Sequence, residues 1–101
     1  MATYRTVQHL APDMAAYVAG LVDGEGTITL TAQHRGEKRR LVVAISDTDR
    51  SLLEFVRQIV GAGRITAKRT YKEHHSPSFA YTVSNRQALD LVTQIASYLK
   101  T

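Results

Sequence analysis

Residues Tyr17 to Gly26 read Tyr-Val-Ala-Gly-Leu-Val-Asp-Gly-Glu-Gly. An apolar run of small residues ends abruptly in two carboxylates, Asp23 and Glu25, each followed by a glycine. Upstream, Pro12 suits a helix start, where its missing N–H costs nothing. From Asp13 to Asp23, the residues Met14, Tyr17, Val18, Leu21 and Val22 supply apolar contacts at helical spacing. Gly24 and Gly26 are expected to end that helix.

Ala16, Gly20 and Gly24 recur every fourth residue along one helix face, beside a second row of Ala15, Ala19 and Asp23. Rows of small residues let another backbone approach closely. A glycine inside a soluble helix costs up to ~1 kcal/mol relative to Ala, so Gly20 implies close packing that offsets the loss. Spacing alone leaves two partners open: a second helix, or this protein's own sheet. Asp23 and Glu25 fall where the helix macrodipole is negative, at a cost of a few tenths to ~1 kcal/mol each. A hard divalent cation, which takes oxygen ligands, would reverse that sign. Hydrogen bonds from loop amides are the simpler reading of Asp-Gly-Glu-Gly taken alone.

Downstream, residues 27–33 alternate, with Thr27, Thr29, Thr31 and Gln33 on one face and Ile28, Leu30 and Ala32 on the other. After a turn through Arg35-Gly36-Glu37, residues 38–46 form a second strand of a hairpin. Leu41, Val43 and Ile45 lie on its apolar face, and Lys38, Arg40, Val42, Ala44 and Ser46 on the other. Asp47, Thr48 and Asp49 are all suited to cap a second helix, which stops at Gly61. A third strand runs from about Arg64 to Tyr71, with Arg64, Thr66, Lys68 and Thr70 on its polar face. Phe79, Tyr81 and Val83 mark a fourth strand. Ser84 and Gln87 match a capping box ahead of a last helix. The element order α-β-β-α-β-β-α predicts an α+β fold. Its four-stranded antiparallel sheet has helices on one face and a polar surface on the other.

With 101 residues the chain fits one domain, residues 1–101, with residues 1–10 a loose arm. The absence of Cys excludes disulfides and thiolate metal sites. No apolar run approaches the ~20 residues of a membrane span, and the start lacks the order of a signal peptide. A cytoplasmic or organellar protein is expected, neither secreted nor membrane-bound. Net charge is +4, and eight basic residues crowd into 35–40 and 64–72, opposed only by Glu37. Such a patch suggests a polyanion, most often nucleic acid, against the plainer reading of a solvated surface. His74-His75 matches no metal-ligand spacing, and surface or phosphate-contacting roles are expected for His9, His34, His74 and His75.

The stretch from Val18 to Gly26, VAGLVDGEG, closely resembles the LAGLIDADG motif of homing endonucleases, and the element order matches that family's fold. The resemblance implies a homodimer. Two copies of the first helix pack through Ala16, Ala19, Gly20 and Asp23, since the chain carries one motif. It implies that Glu25 binds a catalytic Mg²⁺, or another divalent cation such as Mn²⁺, with the Gly24 carbonyl beside it. Asp23 is then structural. Asp47 occupies the region where relatives place a water-ordering Gln or Asn, and Lys100 the region where they place a basic residue. The polar sheet face becomes a saddle on double-stranded DNA, carrying Thr27, Thr29, Thr31, Gln33, Lys38, Arg40, Arg64, Thr66, Lys68 and Thr70. Arg35 and Lys72 contact phosphates from the loops. The implied activity is a metal-dependent double-strand break at a long, near-palindromic site, encoded within an intron or an intein.

Two rival readings stand beside it. One is a non-cleaving nucleic-acid binder on the same fold, either an intron maturase or a transcription regulator. The other is a small α/β dimerisation module that binds no nucleic acid. Glu25 discriminates, because a regulator has no need of an acid there. Steep salt dependence separates both nucleic-acid readings from the third.

Overall fold

The computed structural model describes residues 6–31, 40–68 and 78–100. Among the described residues, three helices and four strands follow one another as α1 (Pro12–Glu25), β1 (Gly26–Thr31), β2 (Arg40–Asp47), α2 (Arg50–Val60), β3 (Arg64–Lys68), β4 (Ser78–Ser84) and α3 (Asn85–Ile95). A 3₁₀ turn, Ala96–Tyr98, follows α3. The fold is α+β, as the periodicity predicts.

The sheet order is β1-β2-β4-β3, and every neighbouring pair is antiparallel. The register carries the two-residue periodicity across all four strands. Thr27 lies opposite Ala44, Ala44 opposite Thr82, and Thr82 opposite Arg64. One residue along, Val43 pairs with Val83 and Ile45 with Tyr81, and all four are buried. The helices cover that second face with Val18, Val22, Leu53, Val56, Leu91 and Ile95, which join the same core. The cover is incomplete beside the edge strand β1. Leu30 stays 60% exposed and Leu89 58% exposed, flanking a shallow groove that also involves Leu41 and Arg86.

Local chemistry explains most of the boundaries. Pro12 opens α1. Asp49 alone caps α2, its carboxylate accepting from Ser51 N–H at 3.0 Å and Leu52 N–H at 3.3 Å. The helix stops where Gly61 takes a left-handed φ of 82°. The expected capping box at Ser84 does not form its bond: Ser84 is the N-cap, but its side chain makes no cap hydrogen bond. Asn85 has a φ of 61°, outside the helical region that a capping box needs at this position.

Of the expected arm, residues 1–5 lie outside the described residues, and the remainder differs from expectation. Residues 6–10 are not a loose arm. Gln8 N–H bonds Val60 O at 2.8 Å, and Leu10 N–H bonds Gln94 Oε1 at 2.7 Å. Val7 and Leu10 are buried in the core. Hydrogen bonds to α2 and α3, distant in sequence, hold a segment that shows no periodicity of its own.

Candidate functional site

The stretch that opens this chain's chemistry forms a single helix-to-strand junction. α1 runs through Gly24 to Glu25, two residues beyond the expected end, and caps on Gly26, whose N–H bonds Val22 O. A Cβ at Gly26 would lie 2.8 Å from Val22 Cα and 3.0 Å from the Ala44 carbonyl oxygen. Both are backbone atoms, so only glycine lets the sheet begin directly against the helix. The motif's final glycine is therefore a steric requirement.

Gly26 pairs with Ile45, which places Glu25 at the same end of the sheet as Asp47, the last residue of β2. The two carboxyl groups act on each other's titration. Hydrogen bonding with the Asp47 side chain, then the like charge of Asp47, raises the Glu25 pKa above its ordinary value. Asp47 is held below its ordinary value. The largest cause is the Asp49 backbone N–H, which donates to Asp47 Oδ1 at 2.9 Å, and the bond from Glu25 comes next. Of the two, Glu25 therefore gives up its proton at a higher pH than Asp47 does. Such oxygen donors suit a hard cation that completes its shell with phosphate and water. Among the described residues no group of three or more His, Cys, Asp or Glu gathers to hold a metal. One chain thus brings two carboxylates to this point, together with Gly24 in the final helical turn.

The two small-residue rows of α1 separate. Ala15 and Ala19 are buried, and Ala19 has no exposed surface, so it packs on this chain's own core and not at an outer seam. Ala16, Gly20 and Gly24 face outward. A Cβ on Gly20 or Gly24 would meet nothing within 4 Å. Among the described residues, nothing needs the space those two glycines leave. Tyr17 borders the row and meets Phe55 edge-on at 5.8 Å. Asp23, also expected at the seam, is half-buried and turned toward the chain's end, where its Oδ2 accepts the Lys100 N–H at 2.7 Å. This link joins positions 77 apart in sequence, and no local pattern announces it.

On the opposite sheet face, Thr27, Thr29, Arg40, Arg64 and Thr66 are exposed. They flank a half-buried centre of Val42, Ala44, Ser46 and Thr82. Register puts Thr31 opposite Arg40 and Lys68 opposite Ser78, in the same rows. Gln33, Arg35, Lys38, Thr70 and Lys72 lie outside the described residues.

Residues 12–96 match the model of a family described as the LAGLIDADG-like domain. Among solved structures, the chain resembles the archaeal intron-encoded homing endonuclease I-Vdi141I complexed with DNA. The TM-score is 0.64 and identity 21%, over 83% of this chain and 54% of that one. It resembles the group I intron-encoded homing endonuclease I-CeuI complexed with DNA at a TM-score of 0.61 and 17% identity, over 92% and 47%. It resembles the LAGLIDADG homing endonuclease I-LtrWI bound to target DNA at 0.56 and 16%, over 97% and 38%. The chain thus spans about half the length of the first two.

Proposed function

We propose that this chain, which belongs to the LAGLIDADG-like domain family, supplies one half of a site-specific DNA endonuclease. The observation that carries the reading is the outward row Ala16, Gly20 and Gly24, which runs directly into Glu25. Two such rows in contact bring two α1 ends, and two Glu25–Asp47 pairs, to one symmetry axis. A dimer of this kind reads a near-palindromic site.

Glu25 and Asp47, with the Gly24 carbonyl, would hold a divalent cation such as Mg²⁺. When bound, that ion supplies Lewis-acid stabilisation of phosphate charge and a more acidic water. The chain's own groups do the rest. The sheet face binds the duplex: Arg40 and Arg64 present bidentate donors suited to guanine, and the Thr rows suit base edges and thymine methyls. Asp47, fixed by the Asp49 N–H, orients its carboxylate toward Glu25. Lys100 contributes positive charge where a phosphate would lie. Gly26 keeps the acid against the sheet. The neighbours' complexes with DNA support this use of the sheet face.

The test is selection of cleaved molecules from a randomised palindromic DNA library in Mg²⁺, comparing wild type with Glu25→Gln. Cleavage by the wild type, with binding but no cleavage by the variant, supports the reading. Binding without cleavage by either protein would identify a non-cleaving regulator or maturase instead.

A further inference from the structure

We propose that Val42 and Ala44, at the centre of the open sheet face, recognise thymine methyl groups, so that each half-site carries thymine where they meet the duplex. This rests on the reading of that face as a DNA surface and specifies which base its centre prefers.

Strand β2 is apolar on both of its faces. The run Leu41-Val42-Val43-Ala44-Ile45 holds no polar side chain. Val43 and Ile45 are buried in the core under the helices, so Val42 and Ala44 belong to the open face. A strand that is apolar throughout is the pattern of one covered on both sides. Among the described residues, helices cover one side alone, and Val42 and Ala44 are left half-buried.

Their neighbours on that face are short. Register sets Ala44 between Thr27 and Thr82, and Val42 between Thr29 and Ser84. In the next row, Ser46 lies opposite Ala80, and Ala80 opposite Thr66. Methyls and hydroxyls are all that these side chains offer. The guanidinium groups stand away from this centre. Arg64 is on the edge strand β3, Arg40 is the first residue of β2, and both are exposed.

This division of chemistry selects among bases. Guanine and adenine are read best by bidentate Arg, Asn or Gln, and Val and Ala can make no such pair. The thymine C5 methyl is the apolar group that a base pair presents in the major groove. Packed on Val42 or Ala44, it takes apolar surface of both partners out of water. A phosphate placed against the same two side chains would lose water and gain no hydrogen bond from them. The centre therefore meets bases and not the backbone.

The test uses the full chain as wild type, Val42→Ser and Ala44→Ser. Duplexes that bind are selected from a randomised palindromic library, whether or not they are cut. Positions whose base preference differs between wild type and a variant are those that the substituted residue reads. The wild type is expected to select thymine there, on one strand of the pair. Uracil is then placed at those thymines. It keeps the O4 acceptor and the pairing groups and lacks only the methyl. Each missing methyl should weaken wild-type binding about fourfold. Binding by the variant that reads the position should change by less than about 1.5-fold. Ala44→Ser, the smaller change, carries the comparison if Val42→Ser does not fold. Wild-type binding that ignores uracil, or selection of G·C pairs at the mapped positions, would overturn thymine readout and leave DNA binding standing. No shifted position in either variant, or an equal uracil penalty in wild type and variants, would overturn the assignment to Val42 and Ala44. A wild type that binds no duplex overturns the DNA reading itself.

Discussion

Glu25, the last residue of α1, meets Asp47, the last residue of β2, at one end of the sheet, and Asp47 raises the Glu25 pKa above its ordinary value. Two acids in contact bind one proton more tightly than either does alone. Because the Glu25 pKa is raised on folding, its contribution to stability is present below the ordinary carboxylate range. It is lost as pH rises through the raised value. Glu25→Gln removes that loss. The variant should therefore melt higher than wild type at about pH 8, with the gap closing toward about pH 4. Thermal unfolding over a pH series reads this. Added Mg²⁺ should raise the wild-type melting temperature at the alkaline end and leave Glu25→Gln nearly unmoved.

Gly20 predicts opposite effects on the protomer and on its pairing. A Cβ there meets nothing within 4 Å among the described residues, and Ala is a better helix former by ~1 kcal/mol. Gly20→Ala should stabilise the isolated protomer by up to about that amount in urea unfolding. Gly20→Leu should leave the fold intact and dissociate the proposed dimer, read by sedimentation. A dimer of unchanged affinity in Gly20→Leu would place the partner elsewhere.

Gly26 behaves in the reverse way. Its Cβ would press on backbone atoms of Val22 and Ala44, which cannot swing aside as a side chain can. Gly26→Ala should cost about 1–3 kcal/mol, the usual range for overpacking. It should also separate Glu25 from Asp47, so the pH dependence of stability tied to that pair should flatten.

Arg64 shares a row with Thr27, Ala44 and Thr82 on the open sheet face. If that face reads DNA, Arg64→Ala should cost about 1–3 kcal/mol per half-site on the selected target. Preference should relax at one position of the site. A uniform loss across sequences, with a shallower salt slope, would mark Arg64 as a phosphate contact instead.

Much of this molecule was legible before any coordinates. The alternation Thr27-Ile28-Thr29-Leu30 and its counterpart Arg64-Ile65-Thr66-Ala67 named both faces of the sheet, because side chains alternate strictly along a strand. The apolar spacing in α2 and α3 named the covering helices. The junction of α1 was less legible. Residues 23–26 combine two glycines with two acids, and local propensity ends the helix at the first glycine. The structure carries it to Glu25, because Gly26 supplies the close approach at which the sheet can start. Residues 6–10 show the opposite limit: they have no periodicity, yet partners far along the chain hold them.

Periodicity, charge placement and the VAGLVDGEG stretch by themselves determined the fold class, the polar sheet face and the acid to watch, because these depend on residue type and short spacing. Which small-residue row faces inward is another matter, as are the meeting of Glu25 with Asp47 and the capture of Lys100 by Asp23. Tertiary structure alone decided them. Each depends on how α1 is rotated against the sheet and on contacts between segments 22 to 77 positions apart, and no local pattern encodes that rotation.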